Sequence, residues 1–208
     1  MTSFDAITLE VADLAAAERF YANAFGLGSR LRLRESQEPA TGFRGFTLSL
    51  TVAQPADVDV LLGGAIDAGA TVLKPAAKSM WGYGGVVQAP DGTIWKVATS
   101  QKKNTGPATG QIEDVVLLLG ATDIVASKQC YLDQGFTVEK SFGRMYVQFA
   151  GSGAVKLGLY RRRALAKDAG VPPEGSGSHR IVMIGAQQFV DPDGFAWASG
   201  QTAGQLGA

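Results

Sequence analysis

Histidine and cysteine, whose side chains often transfer protons near neutral pH or act as nucleophiles, are rare in this chain. There is one histidine, His179, and one cysteine, Cys130. No histidine lies near Cys130 in the sequence, so a paired nucleophile is not indicated, and we expect Cys130 to pack as a small apolar residue. His179 is either a ligand-contacting or acid–base residue in a cleft, or a hydrogen-bonded histidine at the edge of a strand. A single cysteine also excludes disulfide frameworks and cysteine-cluster metal sites.

Aromatic side chains in glycine-rich or turn segments are the other candidates for ligand binding. The segment Ser79–Gly85 contains a serine and three glycines, which are typical of a loop, and it carries Trp81 and Tyr83. Aromatic residues in such a loop either line a pocket or anchor the loop to the core. The residues we predict to contact a ligand are Phe43, Phe46, Trp81, Tyr83, Arg144, Tyr146 and His179.

Two signals recur along the chain and indicate an internal duplication. Pro90-Asp91-Gly92 is followed by Trp95, and Pro192-Asp193-Gly194 is followed by Trp197. Each Pro-Asp-Gly has the residues of a tight turn, and each following segment favours a strand. The segment from Val11 to Tyr21 also aligns without a gap with the segment from Ala121 to Tyr131. We predict a first copy at 1–100, a polar linker at 101–110, and a second, shortened copy at 111–208.

Hydrophobic periodicity predicts that each half begins with a strand and a helix and ends with a turn and a strand. The first strand is expected at Phe4–Val11 and its counterpart at Ile112–Leu119. Asp13 is expected to cap the first helix, and Pro55 to open another. A basic run, Arg161–Arg163, is expected to start a short helix as surface charge.

Each half lacks a different part of this pattern. The first half lacks a strand hairpin between Glu35 and Gly45, and the second lacks a helix after its strand at Ile184. The complete segments, about 44–99 and 112–160, are neighbours in the chain. We therefore predict that the halves pack against each other through sheet edges that would otherwise stay open.

Composition sets limits on the function. Nineteen basic and nineteen acidic residues balance, so no overall field attracts nucleic acid or an anionic membrane. No apolar run reaches the roughly 18 residues of a membrane-spanning helix, and no secretory signal pattern opens the sequence. We therefore expect a cytoplasmic protein, either a monomer or a homodimer, with no nucleic-acid or membrane partner.

The start and end signals together resemble the vicinal oxygen chelate superfamily, which includes glyoxalase I, extradiol dioxygenases, fosfomycin-resistance enzymes and bleomycin-binding proteins. The start signal is carried by Val11, Asp13, Leu14, Phe20, Tyr21 and Gly26, and the end signal is Pro-Asp-Gly-x-x-Trp. The resemblance covers about residues 4–99 and 112–199. It implies an α+β fold in which tandem βαβββ modules form curled mixed sheets around a cleft for a ligand or metal. It does not imply one reaction.

The resemblance also implies where metal-dependent relatives place their ligands, and this sequence differs there. The histidine of the first strand corresponds to Ala6 and Val116, and the glutamate after the turn to Lys96 and Ala198. Thr47 and His179 occupy the second histidine position, and Leu157 and Gly158 the remaining carboxylate position. Methyl, isopropyl and ammonium groups cannot coordinate a divalent metal, which needs about three protein ligands. We therefore expect no bound metal and no other cofactor.

Two main functional hypotheses follow. The first is a metal-free protein that binds a small molecule, such as an antibiotic or an aromatic metabolite, in an aromatic pocket. The neutral net charge disfavours a strongly cationic antibiotic. The alternative is a glyoxalase-type lyase or dioxygenase-like enzyme with an atypical or metal-dependent site. A structural or regulatory domain without a ligand is a weaker third option.

Overall fold

The computed structural model describes residues 4–151 and 153–200. Its helices are α1 (Leu14–Ala24), α2 (Pro55–Asp67), α3 (Ile124–Asp133) and α4 (Arg162–Ala169). The strands of the first half are β1 (Phe4–Val11), β2 (Leu31–Glu35), β3 (Ala40–Gly42), β4 (Phe46–Val52), β5 (Thr71–Ser79), β6 (Gly82–Gln88) and β7 (Ile94–Thr99). Those of the second half are β8 (Ile112–Ala121), β9 (Thr137–Phe142), β10 (Tyr146–Ala150), β11 (Lys156–Arg161), β12 (Gly175–Gly177), β13 (Ile181–Gly185), β14 (Phe189–Val190) and β15 (Ala196–Ser199).

The central sheet has eight strands in the order β5-β6-β7-β4-β8-β11-β10-β9. It consists of two four-stranded arrays with the same layout, because β4 runs parallel to β7 and β8 runs parallel to β11. The arrays join where β4 and β8 pair antiparallel, from Phe46 opposite Leu119 to Val52 opposite Ile112. The two complete segments expected from the sequence therefore share one sheet, and the β4–β8 pairing closes an edge of each.

A second sheet of five strands contains the incomplete parts of both halves, in the order β14-β15-β13-β1-β2. As the sequence indicated, the first half has no hairpin before β4, only the three-residue strand β3, and β13 leads to β14 without a helix. β3 pairs instead with β12 of the other half. None of the helices in the described ranges is long and apolar enough to cross a membrane.

The helices begin where the sequence indicates. The carboxylate of Asp13 accepts a hydrogen bond from the backbone N–H of Ala16 at 2.8 Å, and Asp123 accepts one from Val125 at 2.9 Å. Both are side-chain caps that satisfy backbone donors in the first turn of a helix. α1 and α3 then bury one face each in a continuous core that both sheets share.

A buried tyrosine fixes α1 to the turn and strand at the end of the first half. The hydroxyl of Tyr21 donates to Asp91 Oδ2 at 2.7 Å, and the indole Nε1 of Trp95 donates to the Tyr21 hydroxyl at 3.4 Å. Burial, together with the nearby Asp91 carboxylate, raises the pKa of Tyr21 well above its ordinary value. The tyrosine is therefore held neutral, as a donor.

The second half repeats this arrangement with one change. The Tyr131 hydroxyl donates to Asp191 Oδ2 at 3.0 Å, and Trp197 Nε1 donates to the Tyr131 hydroxyl at 3.2 Å. The carboxylate here precedes Pro192 in the turn, whereas Asp91 follows the proline of its turn. Both halves thus use a Tyr–Asp–Trp triad to join the first helix to the last strand.

One sequence prediction about the strands was wrong. The segment Ser79–Gly85 was predicted as a loop, but β5 continues to Ser79 and β6 begins at Gly82, so only a tight turn remains. The glycines allow close packing within the sheet and between the sheet and α2. A Cβ at Gly82 would collide with the carbonyl oxygen of Thr99, and one at Gly85 would lie 2.7 Å from Leu62 Cδ1.

The segment between β7 and β8 is held down by two side chains at the start of α2. Gln54 Oε1 accepts a hydrogen bond from the backbone of Thr105 at 2.7 Å. Asp57, which is fully buried, accepts bonds from the backbone of Thr109 at 2.6 Å and of Gly110 at 2.9 Å. Burial acts to raise the pKa of Asp57, but these hydrogen bonds outweigh it and lower the pKa below the ordinary value.

We expect Asp57→Asn to lower the free energy of unfolding by about 1–2 kcal/mol at neutral pH, because charge-assisted hydrogen bonds are replaced by neutral ones. A lowered pKa contributes stability above the unfolded value of 3.8, and this contribution is lost as the pH falls through the folded value. Urea unfolding should therefore show the difference shrinking in acid. Asp67→Asn, at an exposed position of α2, is the control and should change little at either pH. A difference that grows in acid would contradict this account.

Candidate functional site

Four of the positions that the sequence resemblance assigns to metal ligands lie on one face of the central sheet, whereas Ala6 and Ala198 lie in the five-stranded sheet. The four are Lys96 on β7, Thr47 on β4, Val116 on β8, and Gly158 on β11. Ser49 pairs with both Lys96 and Val116, and Leu118 pairs with both Thr47 and Gly158. Paired residues in neighbouring strands point to the same face, so these four positions share one cleft.

The side chains at these positions do not fit a divalent metal. A hydroxyl, an isopropyl group, a hydrogen atom and an ammonium group occupy them, and only the hydroxyl of Thr47 could contribute an oxygen. Within 4–151 and 153–200, no group of three or more histidine, cysteine, aspartate or glutamate side chains is placed to hold a metal ion. The Lys96 ammonium instead forms an ion pair with Asp168 of α4, at 2.7 Å.

Helix α4 occupies much of this cleft. Its buried residues Leu165, Ala166 and Ala169 form a small core with side chains from the sheet and from the segment before β4. The sheet and segment residues are Phe43, Val86 and Ile94, with Leu73, Leu118 and Tyr160 partly buried against them. Gly120 allows the close approach, because a Cβ there would lie 2.6 Å from Gly45 O and 3.3 Å from Arg162 Cα. The chain therefore fills part of its own cleft.

The prediction that Arg161–Arg163 is surface charge was wrong for Arg162. Its guanidinium donates from Nη2 to Phe43 O at 2.9 Å and from Nε to Pro173 O at 3.2 Å. It also lies over the Phe43 ring, 5.3 Å from the centroid, in a cation–π contact. Arg162 thus anchors the start of α4 to the segment before β4.

Two lysines hold the other end of α4. The Lys74 ammonium donates to the carbonyl oxygens of Lys167 and Asp168 at 2.7 and 2.6 Å, and Lys96 pairs with the Asp168 carboxylate. Cations at the C-terminal end of a helix stabilise it through the helix dipole and satisfy its free carbonyls. These contacts fix where α4 ends, and they leave the cleft open beyond that point.

The open part of the cleft is a groove of about 310 Å³ between the end of α4 and strands β5–β7. Its charged and aromatic lining residues are Lys74, Lys78, Trp81, Tyr83, Lys96 and Asp168. Trp81 lies at the turn between β5 and β6 and is 83% exposed, which is unusual for so large an aromatic side chain. The groove therefore combines three ammonium groups, one carboxylate and a solvent-facing indole.

The predicted ligand-contacting residues of the first half are not all in this groove. Trp81 is at its edge, and Phe43 is covered by α4. Tyr83 also borders the groove, but its hydroxyl donates to Asp59 Oδ1 of α2 at 2.8 Å, on the other face of the sheet. Phe46 is buried in the main core.

Two predicted ligand-contacting residues of the second half lie near β9 and β10, at the other end of the central sheet from the groove. Arg144 is exposed at the turn between β9 and β10. Tyr146, on β10, is partly buried, and its ring meets that of Tyr160 edge-on with the centroids 6.0 Å apart. Neither belongs to the groove around Trp81.

His179 is placed between the two halves. Its Nδ1 lies 2.6 Å from Arg44 O and its Nε2 lies 3.0 Å from Asp193 O, while the ring stacks on Phe195 at 4.0 Å. Carbonyl oxygens only accept hydrogen bonds, so the ring nitrogen that carries the proton donates to the carbonyl it faces. Both ring nitrogens are directed at backbone carbonyls of the protein, and the arrangement suits a structural link.

Cys130 has no feature of an activated nucleophile. Burial raises the pKa of its thiol above the ordinary value, and the carboxylates of Asp191 and Asp133 act in the same direction. A raised pKa reduces the thiolate population on which nucleophilic attack depends.

Several residues that shape the cleft were not identified from the sequence. Lys74, Asp168 and Arg162 belong to no motif, and only their place in the fold brings them together. Lys96, which pairs with Asp168, was identified from the sequence, through its spacing after the Pro-Asp-Gly turn.

A known structure shares this architecture along nearly the whole chain. Glyoxalase I from Zea mays superposes with a TM-score of 0.63 over 96% of this chain and 92% of its own, at 13% sequence identity. A glyoxalase/bleomycin resistance protein/dioxygenase family enzyme from Burkholderia phytofirmans aligns with 47% of this chain and 98% of its own, at 20% identity and a TM-score of 0.42. No protein-family model and no curated protein matches the sequence. The fold expected from the sequence resemblance, an α+β fold with curled mixed sheets, is confirmed.

Proposed function

We propose that this chain, which has the fold of glyoxalase I, is a metal-free protein that binds a small molecule in the groove beside α4. The observation that carries the proposal is the ion pair between Lys96 and Asp168. The ion pair involves a position that the sequence resemblance assigns to a metal ligand, and the neighbouring cleft stays open and keeps an exposed indole. A cleft of this kind supports binding and lacks the donor set for metal-assisted chemistry.

The lining favours an aromatic ligand with a negative charge. Lys74, Lys78 and Lys96 outnumber the single carboxylate of Asp168, so the local charge is positive although the whole chain is neutral. Trp81 offers a flat face for stacking. The volume of about 310 Å³ is near the lower end of the roughly 300–1,000 Å³ of ligand pockets, which points to a compact ring system. A cationic antibiotic would be repelled.

The competing function is a glyoxalase-type lyase. Its motivation is the structural similarity to glyoxalase I along nearly the whole chain. An enzyme of that kind would have to recruit a metal through residues other than those at the four cleft positions. Elemental analysis of the purified protein, followed by turnover assays with added zinc, nickel, manganese or iron, distinguishes the two. Stoichiometric metal with activity would overturn the binding proposal.

The exposed tryptophan provides a direct test of the groove. Trp95 and Trp197 are 0% and 2% exposed, so the change in tryptophan emission on binding should come from Trp81. We expect phenylacetate to alter this emission in a saturable way, phenylacetamide to bind more weakly, and phenethylamine not to bind. Trp81→Phe should abolish the signal. Lys96→Gln should weaken phenylacetate binding by about tenfold, since it removes a charge-assisted contact.

Lys102→Gln is the matched control, because it removes the same charge from an exposed position outside the groove. It should leave binding unchanged. Equal affinity for the anionic and cationic probes, or a signal that survives Trp81→Phe, would overturn the assignment of the groove.

A further inference from the structure

A second cavity, of about 270 Å³, lies away from the cleft, where the two halves meet. Its walls are the start of α1, the turn between β6 and β7, the segment before β4, and Arg180 of the second half. Its apolar lining residues are Ala12, Ala16, Ala17, Phe20, Ala40 and Pro90. The small side chains of α1 leave the space open, and Phe20 provides an apolar wall.

Two guanidinium groups border this cavity without a carboxylate partner. Arg44 donates from Nη2 to the carbonyl oxygen of Asp91, and Arg180 donates to the carbonyl oxygens of Ser36 and Glu38. The ion pairs found among residues 4–151 and 153–200 involve neither arginine. Arg44 Nη1 is buried and has no hydrogen-bond partner. A buried donor of this kind is costly unless something accepts from it.

The carboxylates beside the cavity are already used within the protein. Asp91 accepts the Tyr21 hydroxyl on Oδ2 at 2.7 Å and the backbone N–H of Thr93 on Oδ1 at 2.7 Å. Asp13 caps α1 through the N–H of Ala16. The charged groups that face the cavity are thus two arginines and two aspartates. The carboxylates already accept hydrogen bonds within the protein, whereas the guanidinium of Arg44 still has a donor without an acceptor.

The two arginines are close enough to act on each other. Burial lowers the pKa of Arg44, and Arg180 lowers it further by repulsion, while Asp91 opposes both. Arg180 is also the only residue other than glycine with a positive φ in the described ranges, at 53°. Such conformations are held against their intrinsic preference and concentrate at functional sites. A bound anion would relieve the repulsion.

We propose that this cavity is a binding site for a small carboxylate with a short apolar body, whose carboxylate lies between Arg44 and Arg180. Guanidinium groups bind carboxylates through paired, charge-assisted hydrogen bonds. The apolar body packs against α1 and Phe20. The site is independent of the groove beside α4, since the two cavities share no lining residue.

Butyrate and butyramide are the probes, because they have the same body and differ in charge. Isothermal titration and a thermal-shift assay should show butyrate binding to the full chain, and butyramide binding at least about tenfold more weakly. Arg44→Gln and Arg180→Gln should each reduce butyrate affinity by about tenfold or more. Arg163→Gln, at an exposed position in α4, removes the same charge and should have no effect.

Ala16→Leu keeps both arginines and fills the cavity with a residue that suits a helix. It should abolish butyrate binding even if an arginine variant folds poorly. Butyrate should leave the emission of Trp81 unchanged, so failure here is distinguishable from failure of the groove. Absence of butyrate binding, equal binding of butyramide, or full affinity in Ala16→Leu would overturn the proposal.

Discussion

Asp191→Ala is expected to lower the free energy of unfolding by about 3–5 kcal/mol, since each buried donor left unpaired costs roughly 1–3 kcal/mol. Asp191 is only 5% exposed and accepts three hydrogen bonds. They come from the Tyr131 hydroxyl at 3.0 Å and from the backbone N–H groups of Asp193 and Phe195, each at 2.9 Å. Removal of the carboxylate would open both the triad of the second half and its Pro-Asp-Gly turn. Urea unfolding followed by circular dichroism measures the loss.

Matched variants separate these contributions. Tyr131→Phe removes one hydroxyl and should cost about 1–2 kcal/mol, and Asp133→Ala, at an exposed position in α3, should cost little. A loss below about 1 kcal/mol for Asp191→Ala would show that the triad does not support the fold.

The pH dependence at Asp191 should run opposite to that at Asp57. Burial raises the pKa of Asp191 above 3.8, although its hydrogen bonds act to lower it. A raised carboxyl pKa contributes stability below the unfolded value and loses it as the pH rises through the folded value. The wild type should therefore gain stability relative to Asp191→Asn in acid, whereas it loses its advantage over Asp57→Asn there.

Leu165→Ala should lower the free energy of unfolding by about 2–5 kcal/mol, the range for truncating a fully buried leucine. Leu165 is 0% exposed and packs in the small core beneath α4. Its truncation leaves a cavity between α4 and the central sheet. Amide hydrogen exchange across 162–169 should accelerate, because the helix has lost its largest buried anchor.

Lys167→Ala is the control for Leu165→Ala, since Lys167 is exposed on the same helix. It should leave both stability and exchange nearly unchanged. A loss below about 1 kcal/mol for Leu165→Ala would mean that α4 rests on the sheet without filling the cleft.

Most of the helices and strands could be predicted from the sequence because their signals are local. Asp13, Pro55 and the two Pro-Asp-Gly turns mark boundaries through their own chemistry, and the structure places boundaries there. The missing hairpin and helix could also be predicted, because an absent element leaves a gap in the repeat. The pairing of the two complete segments followed from those gaps.

The contents of the cleft could not be predicted in the same way. α4 buries Leu165, Ala166 and Ala169, but three arginines precede them, so its composition indicates a surface helix. Only tertiary contacts show that it lies on the central sheet. Likewise, Phe43 and Phe46 are close in sequence but belong to different cores. Lys96 could be singled out from the sequence because it lies at a fixed spacing from a recognisable turn.

The five-stranded sheet has a consequence for synthesis on the ribosome. Its β1 pairs with β13, so β1 emerges from the ribosome long before its partner. The central sheet is built from the intervening segment and can assemble first. Until β13 appears, β1 presents an unsatisfied edge to other nascent chains and to chaperones, so closure of this sheet waits for a segment made well after β1.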